Sequence, residues 1–307
     1  MRGHPAVSRR CTPALLTERL SVWWFTPAPA ARLAGTRITH GAFSLWYLAK
    51  RRSMLAEIHR SGSNDFAPVG PCRILSKPLP ATVADRIVDA TLVAAAAAAT
   101  GLCYRVTGPM AGALLTWTLS YRNSWTMIFH NDNLMVLHAA ALAAGPSADA
   151  LSVDAWVRGC RTGPSGADAR YGWPLQLAST TTVTTYALAG VAKVAGPLGW
   201  KWTSGESLRR QVAVDGVRKE AFGSPASPLA YKLYGNVTLF RILALGSMAI
   251  ELLGPIAIFD RRLARLWALA AWQLHWGILA IMKIKFRYQL SGAAYASFMD
   301  LERLIRR

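Results

Sequence analysis

Lys193 closes the apolar run Tyr186-Ala187-Leu188-Ala189-Gly190-Val191-Ala192-Lys193, and Trp202-Thr203-Ser204-Gly205 follows soon after. A lysine at the end of such a run has two readings. It is a snorkelling anchor, its ammonium reaching water and the helix C-terminal dipole, or it is a general base, because desolvation favours the neutral amine. A second group is His130, Asp132 and His138, beside Asn131 and Asn133. The two histidines are two helical turns apart, roughly 12 Å, which is too far to share one metal ion. Asp132 is spaced to orient either ring, while each histidine reads equally as one satisfied by a neighbouring helix. Glu251, in Glu251-Leu252-Leu253-Gly254-Pro255, and His275, in Trp272-Gln273-Leu274-His275-Trp276, lie inside two consecutive apolar runs. Ionisable groups there are costly unless used or paired. A Glu251–His275 pair is therefore expected, against separate hydroxyl or backbone partners. Arg37, His40, Asp89 and Arg241 are weaker cases of the same kind. No metal site is expected.

The elements that carry these residues read as membrane helices. The 307 residues are 52% hydrophobic and 17% charged, with mean hydropathy +0.23, where a soluble domain usually carries about a quarter charged residues. The apolar residues come in blocks, and crossing the hydrocarbon core takes roughly 20 of them in a helix. Barrel strands would alternate, and these blocks do not. The expected fold is an all-α, polytopic integral membrane bundle of about six to eight transmembrane or half-spanning helices. Residues 1–28 form an amphipathic N-terminal segment, with Leu16, Leu20, Trp23 and Trp24 facing the interface. Residues 29–301 form the bundle, with helices at 30–48, 85–104, 108–128, 130–144, 174–194, 237–259, 263–284 and 289–301, the last short or re-entrant. Residues 302–307 are a basic tail. Segments 53–81, 145–172 and 195–235 read as loops, and the threonines around 180–185 as hydroxyls bonding back to their helix. The tryptophans read mostly as interfacial anchors.

The net charge is +19. The basic residues lie between the apolar blocks, which suits loops facing water or anionic lipid and not a nucleic-acid face. The two most basic loops, 50–86 and 193–232, are taken to fall on opposite sides because four helices intervene, unless 130–144 crosses only halfway. Cys11, Cys72, Cys103 and Cys160 form no CxxC, which excludes zinc and thioredoxin signatures and leaves a Cys72–Cys160 disulfide open. The basic residues 1–10 lack the apolar core of a cleaved signal.

The order of these pieces resembles a known family. An asparagine–histidine helix, 125–138, is followed by Ser152-Val153-Asp154. Then come Tyr186-x-x-Ala189-Gly190-x-x-Lys193, Trp202-x-x-Gly205, Glu251-x-x-Gly254, His275 and Phe286. This resembles the HTTM (horizontally transferred transmembrane) domain, the bacterial relative of vitamin K-dependent gamma-carboxylase, from about residue 30 to residue 301. In the eukaryotic enzyme a base deprotonates reduced vitamin K, the anion reacts with oxygen, and the resulting alkoxide removes a proton from a glutamate side chain to which carbon dioxide adds. The resemblance implies that Lys193 is that base and His130 a stabilising partner, supported by Tyr186, Gly190, Trp202, Gly205, Asp154, Glu251 and His275. It implies a reduced quinone or another lipid-soluble quinol as substrate, a multi-pass place in the cell membrane, the lipid bilayer as partner, and no nucleic acid. Ala192 stands where the enzyme has a second lysine, the order His130-Asn131-Asp132 differs, and no extramembrane domain follows before Arg307. Two functions are carried forward: a membrane oxidoreductase or carboxylase-like enzyme, and a non-catalytic transporter or assembly partner with structural ion pairs.

Overall fold

The computed structural model describes residues 13–305. Residues 1–10, Cys11 and the Arg306-Arg307 end of the expected tail lie outside the described residues. Helix α1 (Pro13–Trp24) leads into a two-residue strand β1 (Ala28–Pro29) and then α2 (Ala30–Ala49), α3 (Arg52–Ile58), α4 (Ala81–Thr100) and α5 (Tyr104–Asn123). There follow α6 (His130–Ala143), α7 (Val153–Val157), β2 (Ala167–Asp168), α8 (Ala169–Ala195), α9 (Glu206–Ala221), α10 (Pro228–Leu233), α11 (Val237–Ala257), α12 (Arg261–Met282), α13 (Arg287–Leu290) and α14 (Glu302–Ile305). The fold is all-α. Its two short strands merely pin the entry of α2 to the entry of α8, with Ala28 opposite Asp168.

The long helices run alternately up and down. Arg52, which opens α3 just beyond α2, bonds Asp89 in the first half of α4, Arg122 at the end of α5 pairs with Asp132 at the start of α6, and His138 of α6 meets Thr182 of α8. Both basic loops lie at the same end of the bundle, called here the Lys193 end. This corrects the expectation of opposite sides: four long helices, α4, α5, α6 and α8, separate the two loops, and an even number of passes along the bundle returns the chain to its starting end. At the other end, Asp300 is buried among Arg32, Arg261, Arg265 and Arg303, while Arg32 also forks onto Glu302 at 2.5 and 2.9 Å.

Several expected boundaries move, each for a local reason. Helix α4 ends at Thr100 because Gly101 adopts φ 69°, the left-handed C-cap conformation glycine allows. Helix α8 starts five residues before Pro174 because the Asp168 side chain accepts from the Arg170 N–H, and the helix runs on through Pro174 at the loss of one backbone hydrogen bond. The supposed loop 195–235 is largely helical in α9 and α10, and α3 and α7 interrupt the other two. The segment 289–301 is not one helix but α13, a 3₁₀ turn at Ala293–Phe298, and an extended exit. It does re-enter the bundle, for Tyr288, Ala293, Ala294, Tyr295 and Phe298 are all buried. Cys72 is buried by α5 at the Lys193 end and Cys160 is exposed near α7, at the opposite end, so the two thiols are free. Trp267 is core rather than anchor, its Nε1 donating to the Ile250 carbonyl at 2.7 Å.

The surface is apolar where the helices face outward: Val93, Val106, Leu188, Ile242, Leu253, Ile256 and Leu266 are all exposed. Among the described residues one helix, α11, is long and apolar enough to cross a membrane. Only 28% of its most apolar stretch is buried, unlike the core helix of a soluble protein. Helix α1 packs lightly, through Trp23 bonding the Ile258 carbonyl at 3.0 Å, and leaves Leu20, Val22 and Phe25 exposed.

Candidate functional site

The Lys193 site starts from two glycines. A Cβ at Gly190 would lie 2.9 Å from Cβ of Glu251 and from Leu252, so only glycine lets α8 and α11 close here. Gly205, at φ 82°, lies against the backbone of Phe240 and Arg241 and fixes the 3₁₀ turn Gly199–Ser204 on α11. That turn carries Trp202. The half-buried Lys193, one turn beyond Gly190, then reaches two partners. Its Nζ donates to Oε1 of Glu251 and stands 4.7 Å from the centre of the Trp202 ring, a cation–π distance. Glu251 is 7% exposed. Its second oxygen, Oε2, is buried with no hydrogen-bond partner, so a buried carboxylate lone pair is left free to accept a proton.

Deeper along the same face of α8 lies Tyr186. Its hydroxyl is 2.5 Å from the Tyr295 hydroxyl and 3.2 Å from Nδ1 of His275. That Nδ1 is 2.8 Å from the Ala271 carbonyl, which can only accept, so Nδ1 carries the hydrogen and Nε2 is left as an acceptor. The His275 ring meets Phe286 edge-on at 5.1 Å. The expected Glu251–His275 pair is not formed: each has its own partner, because α8 inserts Lys193 and Tyr186 against them. Seven residues singled out in the sequence thus gather at one place: Tyr186, Gly190, Lys193, Trp202, Gly205, Glu251 and His275.

The other candidates go elsewhere. His130 is exposed at the first position of α6 and makes no hydrogen bond or ion pair with Lys193, although the antiparallel packing of α6 on α8 puts it at the same end. Asp132 orients neither histidine. It is buried and held by Arg122, by the Tyr47 hydroxyl at 2.7 Å and by Asn131. His138 lies in a separate buried cluster with His40, where the Tyr288 hydroxyl sits 2.7 Å and 2.9 Å from their Nδ1 atoms, and its Nε2 is 2.8 Å from Thr182. Asp154 is at the far end. Its two oxygens accept from the N–H groups of Cys103 and Tyr104 at 2.7 and 2.8 Å, capping α5. Arg37 braces the neighbouring loop through the Ser147 and Leu151 carbonyls. Asp89 pairs with Arg52, and Arg241 is exposed. Tyr288 and Tyr295 were not anticipated. The available signal was the small-residue run Gly292-Ala293-Ala294 and Ala296-Ser297 around Tyr295, which lets an irregular segment thread between helices.

Among the described residues no group of three or more His, Cys, Asp or Glu could hold a metal ion. Protein-family models, curated proteins and solved structures give no match to the chain.

Proposed function

We propose that the chain is a multi-pass membrane protein of the HTTM, gamma-carboxylase-like kind, in which the Lys193–Glu251 pair is a proton-accepting site for a lipid-soluble quinol. Exposed apolar side chains around buried histidines, tyrosines and ion pairs support the membrane setting, since this inverts the usual surface of a soluble protein. The irregular segment 287–300 is consistent with it, being buried in protein where lipid could not satisfy its backbone. The chemistry rests on one observation: a buried carboxylate oxygen without a partner, on a residue whose other oxygen is held by a lysine open to the surface. Glu251 Oε2 would accept the phenolic proton of the quinol, the Lys193 ammonium, steadied by the Trp202 ring, would hold the resulting anion, and Tyr186, Tyr295 and His275 would carry the proton inward. The basic end would face the cytoplasm by the positive-inside bias.

Reduced menaquinone analogues in proteoliposomes test this through oxygen uptake. The wild-type protein is expected to accelerate uptake over empty liposomes, and the neutral double variant Lys193→Gln/Glu251→Gln to be folded and inactive. Undiminished uptake in that variant sinks the proposal. The second reading, a structural ion pair in a non-catalytic component, is favoured by the direct Lys193–Glu251 ion pair. It expects no wild-type acceleration and a large stability loss when one partner is removed.

A further inference from the structure

A groove of about 560 Å³ lies outside the site just described, between α2 and the C-terminal part of α12. Trp46, Trp276, Leu279 and Leu290 make its walls apolar, and Lys285 and Arg287 stand on its rim. Neither cation forms an ion pair or a hydrogen bond among the described residues, and Arg287 only faces the Trp46 ring at 6.0 Å. Several acids of this end are engaged elsewhere: Asp132 with Arg122, Glu251 with Lys193, Asp215 with Lys219 and Glu206 with Arg209. Arg51 lies close enough to Arg287 for their charges to repel. An apolar slot of small-molecule size, rimmed by uncompensated positive charge, is complementary to an amphiphile with an anionic head.

We infer that this groove binds one anionic membrane phospholipid, an acyl chain between Trp46 and Trp276 and the phosphate between Lys285 and Arg287. The inference rests on the membrane setting proposed above but not on the quinol chemistry. Each cation at a membrane surface favours an anionic head by about five-fold, so the two together are expected to give a preference of roughly 25-fold over a zwitterionic lipid.

The test uses delipidated full-length protein in mild detergent, titrated with brominated phosphatidylglycerol or brominated phosphatidylcholine, with tryptophan quenching as readout. Phosphatidylglycerol should quench at roughly 25-fold lower mole fraction. Lys285→Gln/Arg287→Gln should remove that preference while melting like wild type. Trp46→Phe/Trp276→Phe should remove the phosphatidylglycerol-specific part of the quenching. Equal titration by both lipids, or a preference that survives the charge variant, overturns the inference. Displacement of the lipid by inorganic phosphate alone would assign the rim to a soluble anion and overturn it as well. Carbonate extraction of native membranes separates the two failures. A protein that resists extraction but shows no lipid preference loses only the groove, whereas one that is released loses the membrane setting.

Discussion

Lys193 is held by a carboxylate that is more buried than it is, and this asymmetry governs what its removal should do. Lys193→Ala strands the Glu251 charge among apolar side chains, and breaking a buried pair costs about 3–5 kcal/mol. Thermal unfolding in detergent should show that loss for the single variant and recovery to within about 1 kcal/mol for Lys193→Met/Glu251→Leu, since well-packed apolar replacement is often neutral. A single variant as stable as wild type would mean that the pair contributes nothing. Gly190→Val should cost about 1–3 kcal/mol by overpacking the α8–α11 contact. Gly112, where a Cβ would meet nothing nearer than 3.8 Å, supplies the control: its alanine variant should be neutral or gain about 0.5–1 kcal/mol. The sequence motif led to this corner of the molecule but not to its pairing. Lys193 and Glu251 are 58 positions apart, and periodicity says which face of a helix is apolar without saying which helix it meets.

Capping accounts for much of what could and could not be read at the level of elements. Asp154 joins α7 to the start of α5, so Asp154→Ala should lower stability by about 1–2 kcal/mol and leave the proposed quinol turnover unchanged. A loss of turnover without loss of stability would return Asp154 to the site. The long helices were legible as helices because their apolar residues come in blocks of helical length, although among the described residues only α11 is apolar enough throughout to cross a membrane. Their ends were less so, because Gly101 and Asp168 act through single backbone conformations and bonds. Helix α9 was missed for a different reason. It has no strong apolar stripe, and its support comes from Glu206 with Arg209 and Arg210 and from Asp215 with Lys219, charge pairs three and four residues apart. The tyrosines of segment 287–300 lie outside any periodic pattern, which is why Tyr288 and Tyr295 escaped notice.

At the scale of the whole molecule, the cluster around Asp300 closes the end opposite Lys193, tying the exit of the buried segment to α2 and α12. Burial opposes ionisation of Asp300, but Arg32, Arg261, Arg265 and Arg303 outweigh it and hold its carboxyl below the ordinary range. Its folded pKa is therefore below its unfolded one, so its contribution is complete above about pH 4 and disappears as pH falls through the lowered value. The melting difference between wild type and Asp300→Asn should be constant from pH 7 to 5 and shrink below about pH 4. A difference that persists in acid would show that the cluster acts through packing rather than charge. The same end also displays two free thiols, Cys103 and Cys160, whereas Cys72 is fully buried at the other. In the membrane setting proposed above, and in a Cys11→Ser background, the molecule would thus carry its own sidedness label. A membrane-impermeant maleimide added to intact cells should mark it if the Lys193 end is cytoplasmic, and should fail to do so until lysis if the bundle is inverted.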